Sequence, residues 1–497
     1  MAVWSLLLLS CMNAATEIFV SSNTATSSND KNAKYQEGST SSGIISTVAG
    51  SKINGGGSVA DGVAATSKQL LSPDGLALST ENNLFIAGTN DNKIWKVTAS
   101  SGLITTIAGT GVAGFSGDKG QATSSMLSGP RGVCLDTTGN IYIADTVNTR
   151  IRKVTVNTGV ITTVAGGGYS ISAGVATGFF LMKPVSVAVD TAGNIFISDT
   201  THNKIFKVAV STGMLTTVMG ADSIAAGVTI ATKYYLWDVA GITLDTSGNI
   251  FLAGGVQNPC VFKVTASTGL VSIVAGTGPF TVGQAGYNGD DILATTAQLN
   301  IPVSVAVDAS GNIFIADSAN YRIRKVSAST GIITTVAGKG VVGSSPSDGD
   351  DGSATSASFT DANGVIVDSV GNIYFSDSFH NVVKKVTFSG MTPSASATPA
   401  PAVTPAPFSP VASAPTVSTP SAPAVTPSTP TSTAPALSTP TTQTAPTPSA
   451  SSTSSKAPSA PSSTASQRSA TTHIAQAFYL SMMFLSSLLI LHLYRDT

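Results

Sequence analysis

One phrase returns six times along the chain with variations: a Gly-Asn-Ile-aromatic strand, a polar turn, a basic-Ile-x-Lys-Val strand and a Thr-Thr-Val-Ala-Gly strand. The clearest copy runs Gly139-Asn140-Ile141-Tyr142-Ile143-Ala144-Asp145, then Arg150-Ile151-Arg152-Lys153-Val154, then Ile161-Thr162-Thr163-Val164-Ala165-Gly166. A fixed period of this length predicts radial or linear repetition of one supersecondary unit. Each copy divides into four short apolar runs separated by turn residues, the pattern of an antiparallel meander. In the second run Ile141 and Ile143 point one way and Tyr142 and Ala144 the other, so both faces are apolar. A strand covered on both faces belongs in a sheet packed between two others, the setting of a propeller blade. A linear solenoid is the competitor, and it would leave two ends to cap.

The ends decide between them. The last copy has three strands, Gly364 to Asp368, Asn372 to Ser376 and Val382 to Thr387, and then passes into low-complexity sequence without its Thr-Thr-Val-Ala-Gly strand. That strand stands alone at the other end, Gly43-Ile44-Ile45-Ser46-Thr47-Val48-Ala49-Gly50. Joining the two completes a sixth blade, ties the ends of the domain together and removes the exposed sheet edges of an open array. The expected fold is therefore all-β: a six-bladed β-propeller of four-stranded antiparallel blades over 42–388, closed by the N-terminal strand. Gly75, Gly132, Ser186, Gly241, Ser304 and Gly364 mark the six first strands, spaced by roughly 54 to 63 residues.

The extra length lies in the connection between blades, where an Ala-Thr pair is followed four positions after the Thr by an apolar residue: Leu70, Leu127, Leu181, Leu236, Leu299 and Phe359. That spacing predicts a single helical turn, capped by Thr or Ser, plugging the top of each blade interface. Strand and loop motifs recurring in phase resemble the NHL-repeat family of six-bladed propellers. The nearer resemblance is to its teneurin-like and microbial secreted subclass, which carries a Gly-Asp-Gly-Gly-x-Ala-Thr loop. Blade four departs from the pattern, with Gly254-Gly255-Val256-Gln257-Asn258-Pro259 where blade two has Asp145, Asn148 and Arg150. Pro259 cannot donate to a ladder, so an irregular hairpin is expected there.

Flanking segments differ in composition. The apolar run within 1–15 resembles a secretory signal peptide, although it lacks a basic start. A polar, disorder-prone segment fills 16–41. A Ser/Thr/Pro-rich tract over 389–472 resembles an O-glycosylated stalk, with a plain disordered linker as the alternative. Within 473–497, Ile474 to Tyr494 is apolar over about 21 residues, enough for a transmembrane helix or for a cleaved lipid-anchor signal. This order predicts a secretory-pathway protein anchored at the cell surface.

Charged residues are only 10% of the chain, with 25 basic against 26 acidic side chains, so no electrostatic footprint for nucleic acid exists. Cys134 and Cys260 fall in different repeats and suit buried apolar sites. His202 and His380 occupy turn positions filled by Asn148 and Asn320 elsewhere, and so are expected to build turns and not to bind metal. Asp136, Asp190, Asp245, Asp308 and Asp368 precede Gly-Asn turns as capping residues. Asp348-Gly349-Asp350-Asp351-Gly352 has calcium-like composition but lacks a complete ligand spacing.

Topology puts the loops between second and third strands on the same face as the inter-blade loops. Phe115, Arg150, Tyr287, Tyr321 and Arg322 are the candidate ligand-binding residues on that face, an aromatic and Arg mixture typical of interaction surfaces. The competing reading is that the aromatics pack the loops themselves. The sequence therefore predicts a noncatalytic module, with no cofactor and no metal, that recognises a protein or glycan and meets the membrane through its C-terminal segment. The alternative is a secreted hydrolase or lyase with a channel metal, a chemistry the resemblance brings in because lactonases and an amidating lyase are built on related propellers.

Overall fold

The computed structural model describes residues 43–388, apart from 53–56, 58, 222–229, 235, 237, 257 and 279–284. The expected signal peptide, polar segment, stalk and apolar C-terminal helix lie outside the described residues. Among the described residues no helix is long and apolar enough to cross a membrane.

Six antiparallel sheets follow one another, each with its strands in meander order. Blade two shows the plan: an inner strand Pro130–Leu135, then Ile141–Asp145, Arg150–Thr155 and an outer strand Val160–Gly166. Ring closure is as the ends of the sequence predict. Ile44–Ala49 pairs antiparallel with Val382–Thr387, Ile45 opposite Val386, and becomes the outer strand of blade six.

Second strands are buried along their full length in every blade, which matches their apolar residues on both faces. The core is correspondingly divided. Six apolar clusters each take residues from two consecutive blades; the one between blades one and two joins Phe85, Ile94 and Ala108 to Val133, Ile143 and Ile161. Blade integrity and ring integrity thus rest on the same contacts.

Each inter-blade connection makes a three-residue 3₁₀ turn, beginning at Ala65, Ala122, Ala176, Ala231, Ala294 or Ala354. The expected Thr or Ser cap is absent, since no side chain caps any of these turns. Backbone groups replace it. The Ala122 N–H donates to the Gly159 carbonyl at the start of the outer strand of blade two, and the Ala122 carbonyl accepts from Gly109 N at the end of blade one. The turn therefore wedges between consecutive blades at their outer strands and not above them. Leu70, Leu127, Leu181, Leu236, Leu299 and Phe359 are buried behind it, as their spacing predicts.

Residues just before the turn add a short fifth strand in blades one, three and five, at Val63–Ala64, Gly174–Val175 and Ile292–Leu293. Isolated bridges at Gln121, Ile230 and Ser353 do the same for the other three. These additions cover part of each outer edge, where unpaired backbone would otherwise invite pairing with another chain. Blade four is irregular as expected: its strands shorten to Ile242–Leu244, Ile250–Ala253 and Val261–Val264, and Cys260 N donates to Asn258 O across the Pro259 turn.

Candidate binding face at the channel mouth

The loops of the candidate face are held by buried carboxylates at the ends of second strands. Asp145 accepts from Ser128 N at 2.8 Å, from Asn148 Nδ2 at 2.8 Å and from Arg152 Nη1 at 3.3 Å. Asp317 repeats this with Asn300 N at 2.7 Å, Asn320 Nδ2 at 2.8 Å and Arg324 at 3.5 Å. Each carboxylate ties the hairpin of its blade to the residues that lead into the inner strand. Burial pushes both carboxyls upward against these hydrogen bonds, Asp317 to about 6.

His380 makes the Asn bond with its imidazole, whereas His202 brings its ring beside the equivalent carboxylate and hydrogen-bonds it through its backbone N–H at 3.1 Å. His202 Nδ1 lies 3.0 Å from Asp199, and His380 Nδ1 lies 2.8 Å from Asp377. For Asp199, burial is outweighed by its contacts with His202, and the carboxyl titrates below its ordinary range. Both histidines are turn-forming side chains.

The next residue along, Thr or Ser, stitches blade to blade. Thr89 donates to Pro130 O at 2.9 Å, Thr146 to Pro184 O at 2.7 Å and Thr200 to Val239 O at 2.7 Å. Ser318 donates to the Asp361 carboxylate, and Ser378 to Pro73 O across the ring closure. Blade four has no hydroxyl at this place, and Gly255 N donates to Pro302 O instead.

A second device was not anticipated from the sequence. The third residue of each "basic-Ile-x" strand is Trp95, Arg152, Phe206, Phe262, Arg324 or Lys384, and each finds a matched partner in the inter-blade loop leading to its blade. Arg152 pairs with Asp118 at 2.8 Å, Arg324 with Asp290 at 2.9 Å and Lys384 with Asp350 at 2.8 Å. Phe206 packs edge-on against Phe179 at 5.0 Å, Phe262 against Tyr234 at 5.5 Å, and Trp95 lies under the Lys68 ammonium at 4.1 Å. Acidic loops thus face cations, and aromatic loops face phenylalanine. Aligning loop and third strand copy by copy would have exposed this covariation.

The candidate binding residues divide into two clusters. Arg150 stacks on Phe115 at 3.9 Å in blade two, and Arg322 stacks on Tyr287 at 3.7 Å in blade five. Second and fifth blades of a six-membered ring lie opposite one another, so the structure does not gather the five side chains into one patch. Phe115 and Tyr287 remain 41% and 38% exposed while packing their own loops. Tyr321 adopts left-handed backbone, φ 53°, where other blades place Asn92, Asn203 and Asn381.

At the ring axis the inner strands converge. A Cβ on Gly132 would lie 2.8 Å from Ser186 Cα, and one on Gly364 would lie 2.4 Å from Asp74 O. Gly241 N donates to Val303 O between blades four and five. Small residues at this level let backbones of neighbouring blades touch and pinch the channel. Above the pinch lies a cavity of about 180 Å³, lined from all six blades, with Asp74 and Arg131 paired at 2.7 Å on its wall.

Among the described residues no three His, Cys, Asp or Glu side chains converge as a metal site. In the acidic Asp348–Gly352 loop, Asp350 is occupied by Lys384 and Lys52, and Asp348 by Ser344 and Ser345.

The family description "Teneurin NHL domain" matches residues 112–177, and "NHL repeat" matches residues 299–326, so the two matches fall on the Arg-bearing blades two and five. Teneurin-4 of Mus musculus is 29% identical over 275 residues, covering 48% of this chain and 10% of teneurin-4. Teneurin-3 of Danio rerio is 28% identical over 276 residues, again 10% of its length. The chain thus matches about a tenth of these relatives. Among solved structures, a protein of unknown function from Bacteroides thetaiotaomicron superposes with a TM-score of 0.51 at 18% identity, over 69% of this chain and 76% of that one. An auxiliary nutrient binding protein from the same organism gives 0.51 at 15% identity, over 70% and 77%. At such identities these likenesses show the propeller fold alone. Repeat motifs, ring closure and the two family-model matches agree, and together they support an NHL-repeat propeller.

Proposed function

We propose that this protein is a noncatalytic binding module, displayed at a cell surface or secreted, that recognises a protein or glycan through the loop face of its propeller. One observation carries the reading: large apolar side chains are exposed on that face. Val147, Val256 and Phe379 project from turns between second and third strands, and Tyr169 and Ile171 from an inter-blade loop, with Phe379 67% and Tyr169 96% exposed. Exposed apolar side chains mark interaction sites where they gather, and this face draws Val147, Val256 and Phe379 from alternate blades. Phe115, Arg150, Tyr287, Tyr321 and Arg322 enter this reading as the rim of two opposite blades. Surface display rests on the order of propeller, Ser/Thr/Pro-rich tract and apolar segment, and the membrane contact on that last segment. Similarity to teneurin NHL domains supports a binding role for the propeller.

Protease treatment of intact cells tests display: the propeller epitope is expected to be lost from intact cells, and retention until lysis would refute it. For recognition, soluble propeller is applied to arrays of secreted proteins and glycans. Replacing Val147, Val256 and Phe379 by Ser is expected to abolish capture without lowering the melting temperature, and unchanged capture would exclude the loop face.

A further inference from the structure

The cavity above the channel pinch has a chemistry that no strand repeat requires. Four of the six inner strands carry Gly at the pinch, whereas blades three and five carry Ser186 and Ser304. Each serine oxygen accepts a backbone N–H of the following blade, from Ile242 and Val365, both at 3.2 Å. Neither hydroxyl donates a hydrogen bond to any described residue, and both line the cavity. Two O–H donors therefore stand on its floor.

Its wall is polarised. Arg131, a cavity-lining residue 38% exposed, donates Nε to Asp74 at 2.7 Å and stands in the field of Asp361 as well. Lys183 of the next blade lines the same sector. Elsewhere around the ring stand the acceptors Asn363 and Asp238, the latter holding Val256 N at 2.9 Å. A guanidinium carries five N–H donors in a planar fork, so a bond to Asp74 through Nε leaves donors for a further oxyanion. The volume, about 180 Å³, falls below the ~300 Å³ at which drug-sized pockets begin, so the ligand is small.

We propose that this cavity binds a small hydroxylated carboxylate of the sugar-acid class. The carboxylate sits on Arg131 beside Lys183, and hydroxyls meet Ser186, Ser304, Asn363 and Asp238. This narrows the loop-face reading to acidic saccharide ends, and it rests on that reading.

Sodium D-glucuronate, with D-glucose as the uncharged control, is titrated into the full chain by calorimetry. Saturable glucuronate binding is expected, at least ten-fold weaker for glucose and ten-fold weaker in Arg131→Gln. The double variant Ser186→Ala, Ser304→Ala is expected to weaken glucuronate several-fold and to melt lower, since Ile242 N and Val365 N lose their acceptors. Lys183→Gln, at an exposed residue of the cavity wall, is expected to weaken glucuronate several-fold with the melting temperature in place, and it decides the matter should the other variants unfold. No saturable binding, equal affinity for glucose, or unchanged affinity in the folded variants would overturn the proposal. Glucuronate failure alongside array capture that depends on Val147, Val256 and Phe379 overturns the sugar-acid site alone. Glucuronate binding by a protein that protease cannot reach on intact cells overturns surface display alone.

Discussion

Burial pushes the Asp317 carboxyl up to about 6 in the folded protein, against the hydrogen bonds from Asn300, Asn320 and Arg324. An unfolded Asp titrates near ~3.9. A raised folded pKa means that the protonated form is favoured by folding, so this group's contribution is greatest below about pH 4 and is lost as pH rises through about 6. Asn at this position keeps a neutral acceptor and does not titrate. The stability of the native chain relative to Asp317→Asn should therefore rise by about 1 kcal/mol between pH 7 and pH 5, measured by urea unfolding at both. A difference independent of pH would show that Asp317 is ionised throughout. Gly132 makes a steric case at the same scale. Its absent Cβ leaves room for the backbone of Ser186, so Gly132→Val is expected to cost at least about 2 kcal/mol, since backbone on both sides must move. The sequence marked these glycines as the repeat's first-strand positions. It did not reveal that they touch across the axis, because a glycine in a strand shows its steric purpose only once a neighbouring backbone is placed beside it.

Within a blade, the decisive contact joins the third strand to the loop that precedes the blade. Arg152 is fully buried between Asp118 and Asp145, and removing its charge leaves two carboxylates without their cation. Arg152→Ala is expected to cost about 3–5 kcal/mol, the range for breaking a buried pair. Conversion of blade two to the aromatic type of blade three, Arg152→Phe with Asp118→Ala and Ser125→Phe, should recover most of that loss in the same unfolding assay. If the triple variant is no better than Arg152→Ala, the matched pairs are not interchangeable devices. Strand order, the Asp-Gly-Asn turns and the buried Leu after each Ala-Thr were legible because they recur in every copy. The matched pairs escaped notice because they differ between copies, and a search for the constant part of a repeat discards them. Opposite placement of Phe115 and Tyr287 could have been foreseen, since blades two and five of six must face away from one another once the ring is granted.

For the whole ring, stability and closure are one property. Each apolar cluster lies between two blades, so a ring that opens at one interface exposes the faces of both neighbours. The N-terminal strand supplies buried Ile45 and Ala49 to blade six. It also supplies Thr47, which bonds Asp350 at 3.2 Å, the carboxylate that holds Lys384. Deleting Gly43 to Gly50 uncovers Val382–Thr387 along its length and weakens the hold of the inter-blade loop on blade six. The loss should exceed about 5 kcal/mol, as large as the whole stability of many domains, and should appear as failure of the entire propeller to melt cooperatively. Because the missing piece is a single strand with a defined register, a synthetic Gly43–Gly50 peptide should bind the truncated chain and raise its melting temperature in a concentration-dependent way. Changing Ile45 to Asp in that peptide should abolish the effect, since Ile45 is the residue its register carries into the core. A truncated chain that melts at the native temperature without peptide would mean that five complete blades and a three-stranded sixth suffice, and ring closure would then be a consequence of the fold and not a condition for it.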